Sequence, residues 1–202
     1  GVEVPEFYID NYHFEKNKGF VFCYSGSLDI NRKGIDLLLS ALHIIIFTHR
    51  VKNASLVLIG SGQDKDKIVK ISKELKIEQY VKFSGEVKDP ISKMMNYNAF
   101  VLPSRREGLP NALLEAMSIG IPCIASDCNT GPREIITDNQ NGLLVPSENP
   151  TDLANTMMKI YSSETLRRYL GVNARKTIKK LFLFDQMINR YIDVLNIKND
   201  QW

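Results

Sequence analysis

The chain has 202 residues, 44% hydrophobic and 24% charged, an ordinary globular composition that excludes disordered, collagen-like and low-complexity chains. Its 26 Lys and Arg against 23 Asp and Glu leave a net charge of +3, too mild for the dense phosphate contacts of a nucleic-acid binder. Three cysteines, Cys23, Cys123 and Cys128, are odd in number and unhelpfully spaced, which argues against a disulfide framework and for a reducing compartment.

Residues 1–18 are polar and read as the remnant of a linker, with His13 inside it. The short apolar run Phe20 to Tyr24, bounded by Gly19 and Gly26, predicts a strand buried on both faces. Ile35, Leu38, Leu39, Leu42 and Ile46 recur at spacings of three and four, which predicts a helix over 35–47. The alternation then repeats. Strands are expected at 55–59, 81–83, 99–102, 122–125 and 142–145, and helices at 64–75, 91–95, 111–118 and 132–136, with two or three more closing the chain. Short apolar strands separated by amphipathic helices indicate βαβ units, because parallel strands need crossovers. The expected fold is therefore α/β, a Rossmann-like doubly wound parallel sheet of about six strands. No run approaches the ~20 apolar residues of a membrane span, so a soluble protein is expected, and the cysteines' reducing compartment makes the expected location cytoplasmic.

Ligands of such sheets sit beyond the carboxyl ends of the strands, which directs attention to the loops. After the first strand, Gly26-Ser27-Leu28-Asp29-Ile30-Asn31-Arg32-Lys33-Gly34 places two cations where a helix begins, an anion cradle or a solvated basic turn. After the second, Gly60-Ser61-Gly62-Gln63-Asp64 is a tight turn that lets backbone approach a nucleoside, with Asp64 or Ser61 as helix cap. Lys65 stands where a dinucleotide fingerprint needs its third glycine, so a plain turn remains the alternative. After the fourth, Pro103-Ser104-Arg105-Arg106-Glu107-Gly108-Leu109-Pro110-Asn111 runs into a helix that carries Glu115. Gly108 admits close approach, Pro110 suits a first helical turn, and carboxylates there accept hydrogen bonds from sugar hydroxyls. Glu107 as a dipole partner and Glu115 as a solvated position are the plainer readings, although apolar neighbours on both sides of Glu115 sit poorly with a solvated face. After the fifth strand, residues 126–134 form a long polar loop that is either a ligand contact or a helix cap through Thr130 and Glu134.

From Phe20 to Ile160 these residues resemble the C-terminal, nucleotide-sugar-binding half of the GT4 family of retaining glycosyltransferases, whose two Rossmann-like lobes make the GT-B fold. The most specific match is Glu107-Gly108-Leu109-Pro110-Asn111-Ala112-Leu113-Leu114-Glu115, which resembles the family's two glutamates separated by seven residues. The resemblance implies that Glu107 and the amides around Gly108, Leu109, Pro110 and Asn111 hold donor sugar hydroxyls. It implies ribose contacts for Glu115 and places Leu113 among the donor-binding residues. Lys33 matches the lysine at the donor diphosphate, Gly60, Gly62 and Val87 match nucleoside-contacting loops, Gly26 and Ser27 stand among the donor-binding residues, and residues 131–136 resemble a variable segment near the sugar. The family's arginine directly after the first-strand glycine is here Ser27, with Arg32 in the same loop as its candidate substitute. Lys33, Arg32 and Glu107 are thus the implied catalytic set.

The implied activity is transfer of a hexose or N-acetylhexosamine from a nucleotide diphosphate sugar, UDP first among the nucleotides, to a glycan or lipid-linked acceptor. Residues 19–181 would be the donor domain, and 182–202 a helix that packs back on an N-terminal lobe supplying the acceptor. No metal is expected, since protein cations can neutralise the leaving diphosphate. The alternative is a non-catalytic nucleotide-sugar-binding module, favoured by Ser27. A sugar-nucleotide epimerase shares the architecture but not the glutamate pair, and a receiver domain would need an acidic cluster at the strand ends. Lys65, Lys67, Lys70, Lys73 and Lys76 make a basic helix, read as a solvated face or as a peripheral contact with the inner face of an anionic membrane.

Overall fold

Six segments become strands, the central four as apolar runs buried between layers of helix and the third in sequence as a half-exposed edge. They are β1 (Phe20–Ser25), β2 (Ala54–Ile59), β3 (Val81–Gly85), β4 (Ala99–Leu102), β5 (Cys123–Asp127) and β6 (Leu143–Pro146). The computed structural model describes residues 19–183 together with Val2, Val4, Gln186, Ile188 and Ile192. His13, most of the expected linker and most of the expected closing helix lie outside the described residues. All pairings are parallel, in the order β3-β2-β1-β4-β5-β6. β1 pairs with β2 on one side and β4 on the other, so the crossovers diverge there and open a crevice between the loops that follow β1 and β4.

The helices are α1 (Ile30–Lys33), α2 (Ile35–His43), α3 (Lys65–Glu74), α4 (Pro90–Met94), α5 (Asn111–Ser118), α6 (Pro132–Ile135), α7 (Pro150–Ser162) and α8 (Glu164–Leu181). α2 packs against α3 and α7, and α5 against α4 and α8, which gives the sheet two helical layers. Asn149 and Ser163 cap the two closing helices through side-chain oxygens. Val2 reaches the end of α8, where its amide donates to the Phe182 carbonyl at 3.0 Å, so part of the expected linker lies against the domain.

Two departures from the expected elements have local causes. The predicted helix 35–47 splits, and after His43 the run Ile44–Thr48 widens into a π-helical turn. The wider turn buries the adjacent Ile45 and Ile46 and leaves Phe47 outside against His43, their rings 4.8 Å apart. The loop after β1 contains α1, which the sequence pattern did not reveal. Asp29 caps it, accepting from the Arg32 amide at 3.0 Å. Gly34 closes it at φ 63°, where a Cβ would lie 2.2 Å from the Pro103 carbonyl oxygen.

Candidate functional site

The β1 loop is built around a buried aromatic. Tyr24 is enclosed, and its hydroxyl donates to the Ser27 carbonyl at 2.8 Å, fixing the turn. Burial, and then the negative charge of Glu107, push its phenol up from the ordinary value. The β2 loop is laced to this turn, with the Leu28 amide donating to the Ser61 carbonyl at 2.8 Å. Gly60, at φ 125°, has no room for a Cβ, which would lie 2.1 Å from the Gly26 carbonyl oxygen. At Gly62 it would meet Leu28 backbone at 2.5 Å. A cleft of about 280 Å³ brings together Gly26, Ser27, Gly60 and Val87, with Ser61 donating to the Glu86 carboxylate on its lining.

The β4 loop crosses the crevice to the same place. Lys33, the last residue of α1, puts its ammonium 2.6 Å from Glu107 Oε1, and the two side chains are 14% and 7% exposed. Ser104, fully buried, donates its hydroxyl to the same oxygen at 2.6 Å. Arg32 is exposed and reaches back, its Nη2 donating to Ser27 Oγ at 3.1 Å. Arg105 forks onto Asp36 with two bonds of 2.8 Å and also donates to the Ile30 carbonyl, tying this loop to α1 and α2. Pro110 occupies the cap position of α5, a step before the expected first turn, and no side chain caps that helix. The Leu113 and Leu114 amides both turn back to the Pro110 carbonyl, which leaves those of Asn111 and Ala112 as the helix's unsatisfied donors among the described residues. Gly108 and Asn111 are exposed, Leu109 is 47% exposed, and a Cβ on Gly108 would meet no atom within 4 Å.

The β5 loop presses on this one. Thr130 donates its hydroxyl to the Glu107 carbonyl at 2.5 Å, and Gly131 at φ 83° sits so close that a Cβ would be 2.2 Å from the Gly108 carbonyl oxygen. Glu134 caps the short α6 by accepting from the Gly131 amide at 3.1 Å. Glu115 is half-buried on α5, and its carboxyl is raised by desolvation and by the charge of Asp89.

Comparison with known proteins identifies the assembly. Residues 9–177 match the model of the family described as glycosyl transferases group 1. The chain belongs to this family. It is 34% identical over 190 residues to the lipopolysaccharide 1,6-galactosyltransferase of Salmonella typhimurium, covering 92% of this chain and 48% of that one. The chain thus spans about half the length of that relative. A mutant of S. aureus TarM, in complex with fondaparinux, alpha-GlcNAc-glycerol and UDP, superposes with a TM-score of 0.86 at 24% identity over 96% of this chain and 38% of its own. The C-terminal domain of a group 1 glycosyl transferase, LpcC from Francisella tularensis, matches along its whole length with a TM-score of 0.77 at 22% identity over 91% of this chain. Both likenesses are of fold, that of the C-terminal half of a GT-B glycosyltransferase.

Within this group 1 domain the predicted residues do not all converge. Leu113 is fully buried and its amide donates to the Pro110 carbonyl at 3.0 Å, so its side chain is core and faces no ligand. Gly62 is absent from the cleft lining, and its smallness serves the Leu28 backbone. Neither expected cap holds α3, because Ser61 turns to Glu86 while the buried Asp64 accepts from the Ile30 amide at 3.0 Å and from Lys67. Ser104 and the Arg105 fork went unseen in the sequence, and Thr130, expected as a cap of α6, instead donates to the Glu107 carbonyl. The spacing from Ser104 to Glu107, three residues apart, was the available signal for the first. The three cysteines are free and buried. Among the described residues no group of three or more His, Cys, Asp or Glu is arranged to hold a metal, and no helix is long and apolar enough to cross a membrane.

Proposed function

We propose that this domain is the donor-binding half of a retaining, GT4-type glycosyltransferase that takes a hexose or N-acetylhexosamine from a UDP-sugar and delivers it to a glycan or lipid-linked acceptor. The observation that carries the reading is the Lys33–Glu107 pair, drawn from positions 74 residues apart into the crevice where β1 and β4 diverge. In this reading the nucleoside enters the cleft of Gly26, Gly60 and Val87, with Glu115 accepting from ribose hydroxyls. The diphosphate lies by Lys33, and the sugar hydroxyls meet Glu107 and the amides of Gly108, Leu109 and Asn111.

Breaking the bond between the anomeric carbon and the diphosphate oxygen leaves the electron pair on the diphosphate and positive charge on the sugar. Lys33 and Arg32 would answer the first of these charges, and the scheme contains no metal. An ammonium has three donors, so Lys33 can hold Glu107 and a phosphate oxygen together. Ser27 is the observation that favours a non-catalytic module instead. Against it, Arg32 brings its guanidinium to Ser27 itself, 3.1 Å from the hydroxyl, and so supplies a cation at that position. Acceptor binding would come from a partner lobe working at the inner face of the membrane, and alone the domain should bind donor with little turnover.

Calorimetry with UDP, GDP and ADP, on this domain and on its Glu115→Ala and Lys33→Ala variants, tests the reading. Selective UDP binding weakened by both substitutions is expected, and binding of none of the three would overturn it.

A further inference from the structure

The two carboxylate oxygens of Glu107 are treated differently. Oε1 takes both protein donors, the Lys33 ammonium and the Ser104 hydroxyl, each at 2.6 Å. Oε2 accepts no hydrogen bond among the described residues, yet it is not among the atoms sealed from solvent without a partner. The carboxylate therefore has one oxygen anchored in protein and one presented outward, the arrangement a ligand hydroxyl requires.

We infer that Ser104 is a positioning residue, whose hydroxyl fixes the Glu107 carboxylate so that Oε2 receives a hydroxyl of the donor sugar. The inference rests on the sugar-binding role proposed above for Glu107. Ser104 is fully buried and has no open path to a ligand, so its effect must pass through Glu107. The backbone of Glu107 is held separately, its carbonyl accepting from Thr130. What Ser104 adds is control of the side-chain torsions, which a long carboxylate otherwise samples freely. Its share of that control should be largest with donor bound. A phosphate would share the Lys33 ammonium with Glu107 and draw on its flexible stem, whereas the hydroxyl of Ser104 serves Glu107 alone among the described residues.

The test separates the sugar from the nucleotide. Dissociation constants of UDP, and of UDP-glucose, UDP-galactose and UDP-N-acetylglucosamine, are measured on this domain by calorimetry. Ser104→Ala should weaken the preferred UDP-sugar about tenfold, the worth of one charge-assisted hydrogen bond, and leave UDP within about twofold. Ser104→Thr, which keeps the hydroxyl, should restore the difference. Equal weakening of UDP and UDP-sugar in Ser104→Ala would mark a structural residue and overturn the inference, as would unchanged binding of both. If the unaltered domain binds UDP but gains nothing from any sugar, the sugar role of Glu107 falls and this inference with it, while the nucleotide site stands. If it binds no nucleotide at all, the donor-domain reading itself is refuted.

Discussion

The Lys33–Glu107 pair invites removal one partner at a time and then together. At 2.6 Å and an effective dielectric of about 20, the attraction is roughly 6 kcal/mol before desolvation. Taking two such groups almost wholly out of water costs several kcal/mol each, so the pair as a whole should contribute little net stability. Lys33→Met leaves Glu107, 7% exposed, with Ser104 as its single side-chain donor, and should cost about 3 kcal/mol. In a domain of this size that lowers Tm by about 6–12 °C. The double variant Lys33→Met/Glu107→Leu removes both charges and should return to within ~1 kcal/mol of the starting protein, so the coupling in the cycle is at least about 2 kcal/mol, and larger by whatever Glu107→Leu costs alone. Urea unfolding at pH 7 reads the stabilities, and calorimetry with a UDP-sugar should show binding weakened in every variant. A Lys33→Met domain as stable as the parent, or a double variant carrying the sum of the single losses, would refute this. The first result would mean that solvent already screens the pair, and the second that its side chains matter as packing.

Glu115 predicts a dependence on pH with a definite sign. Its carboxyl titrates higher when folded than unfolded, so it takes up a proton more readily in the native state. Stability therefore falls as pH rises from the unfolded pKa through the folded one. Glu115→Gln should raise Tm at pH 7, the gain should vanish near pH 4, and UDP affinity should drop by about tenfold, as expected for losing a charge-assisted acceptor. Thermal scans across pH 4–7 check the first part, and a gain that grows toward low pH would contradict it. The glycines of the sugar loop should separate by role. Gly131→Ala forces a Cβ against the Gly108 carbonyl at positive φ and should lose roughly 2 kcal/mol or more in urea unfolding. Gly108→Ala should stay within ~0.5 kcal/mol while weakening UDP-sugar binding. A destabilised Gly108→Ala would show that fold, not ligand, needs that position bare.

The fold was legible because each strand is a compact apolar run between turn residues, and parallel strands with intervening helices leave few topologies. What escaped were features set by neighbours far along the chain. β3 continues to Gly85, past its predicted end, because pairing with β2 carries it on as a half-exposed edge. The π-helical turn after His43 follows from which isoleucines the core must take, a demand that helical spacing alone does not encode.

The site was legible loop by loop and illegible in its pairings. A parallel sheet directs attention to the strand ends, and there Lys33, Arg32, Glu107 and the Gly26–Gly60–Val87 cleft were found. The residue each side chain holds depends on strand order. β1 and β4 are adjacent although two strands intervene in sequence, which is why Lys33 meets Glu107 and Arg105 meets Asp36. Glycine shows the limit most plainly. In sequence Gly60, Gly62, Gly108 and Gly131 are alike, each a small residue in a strand-end loop. In three dimensions Gly60, Gly62 and Gly131 are bare because another loop's backbone lies where a Cβ would be, whereas Gly108 faces open space. In the proposed reading, a glycine that the fold does not need to be bare, beside a carboxylate oxygen that no donor among the described residues claims, is where the ligand's demand falls most directly on the chain.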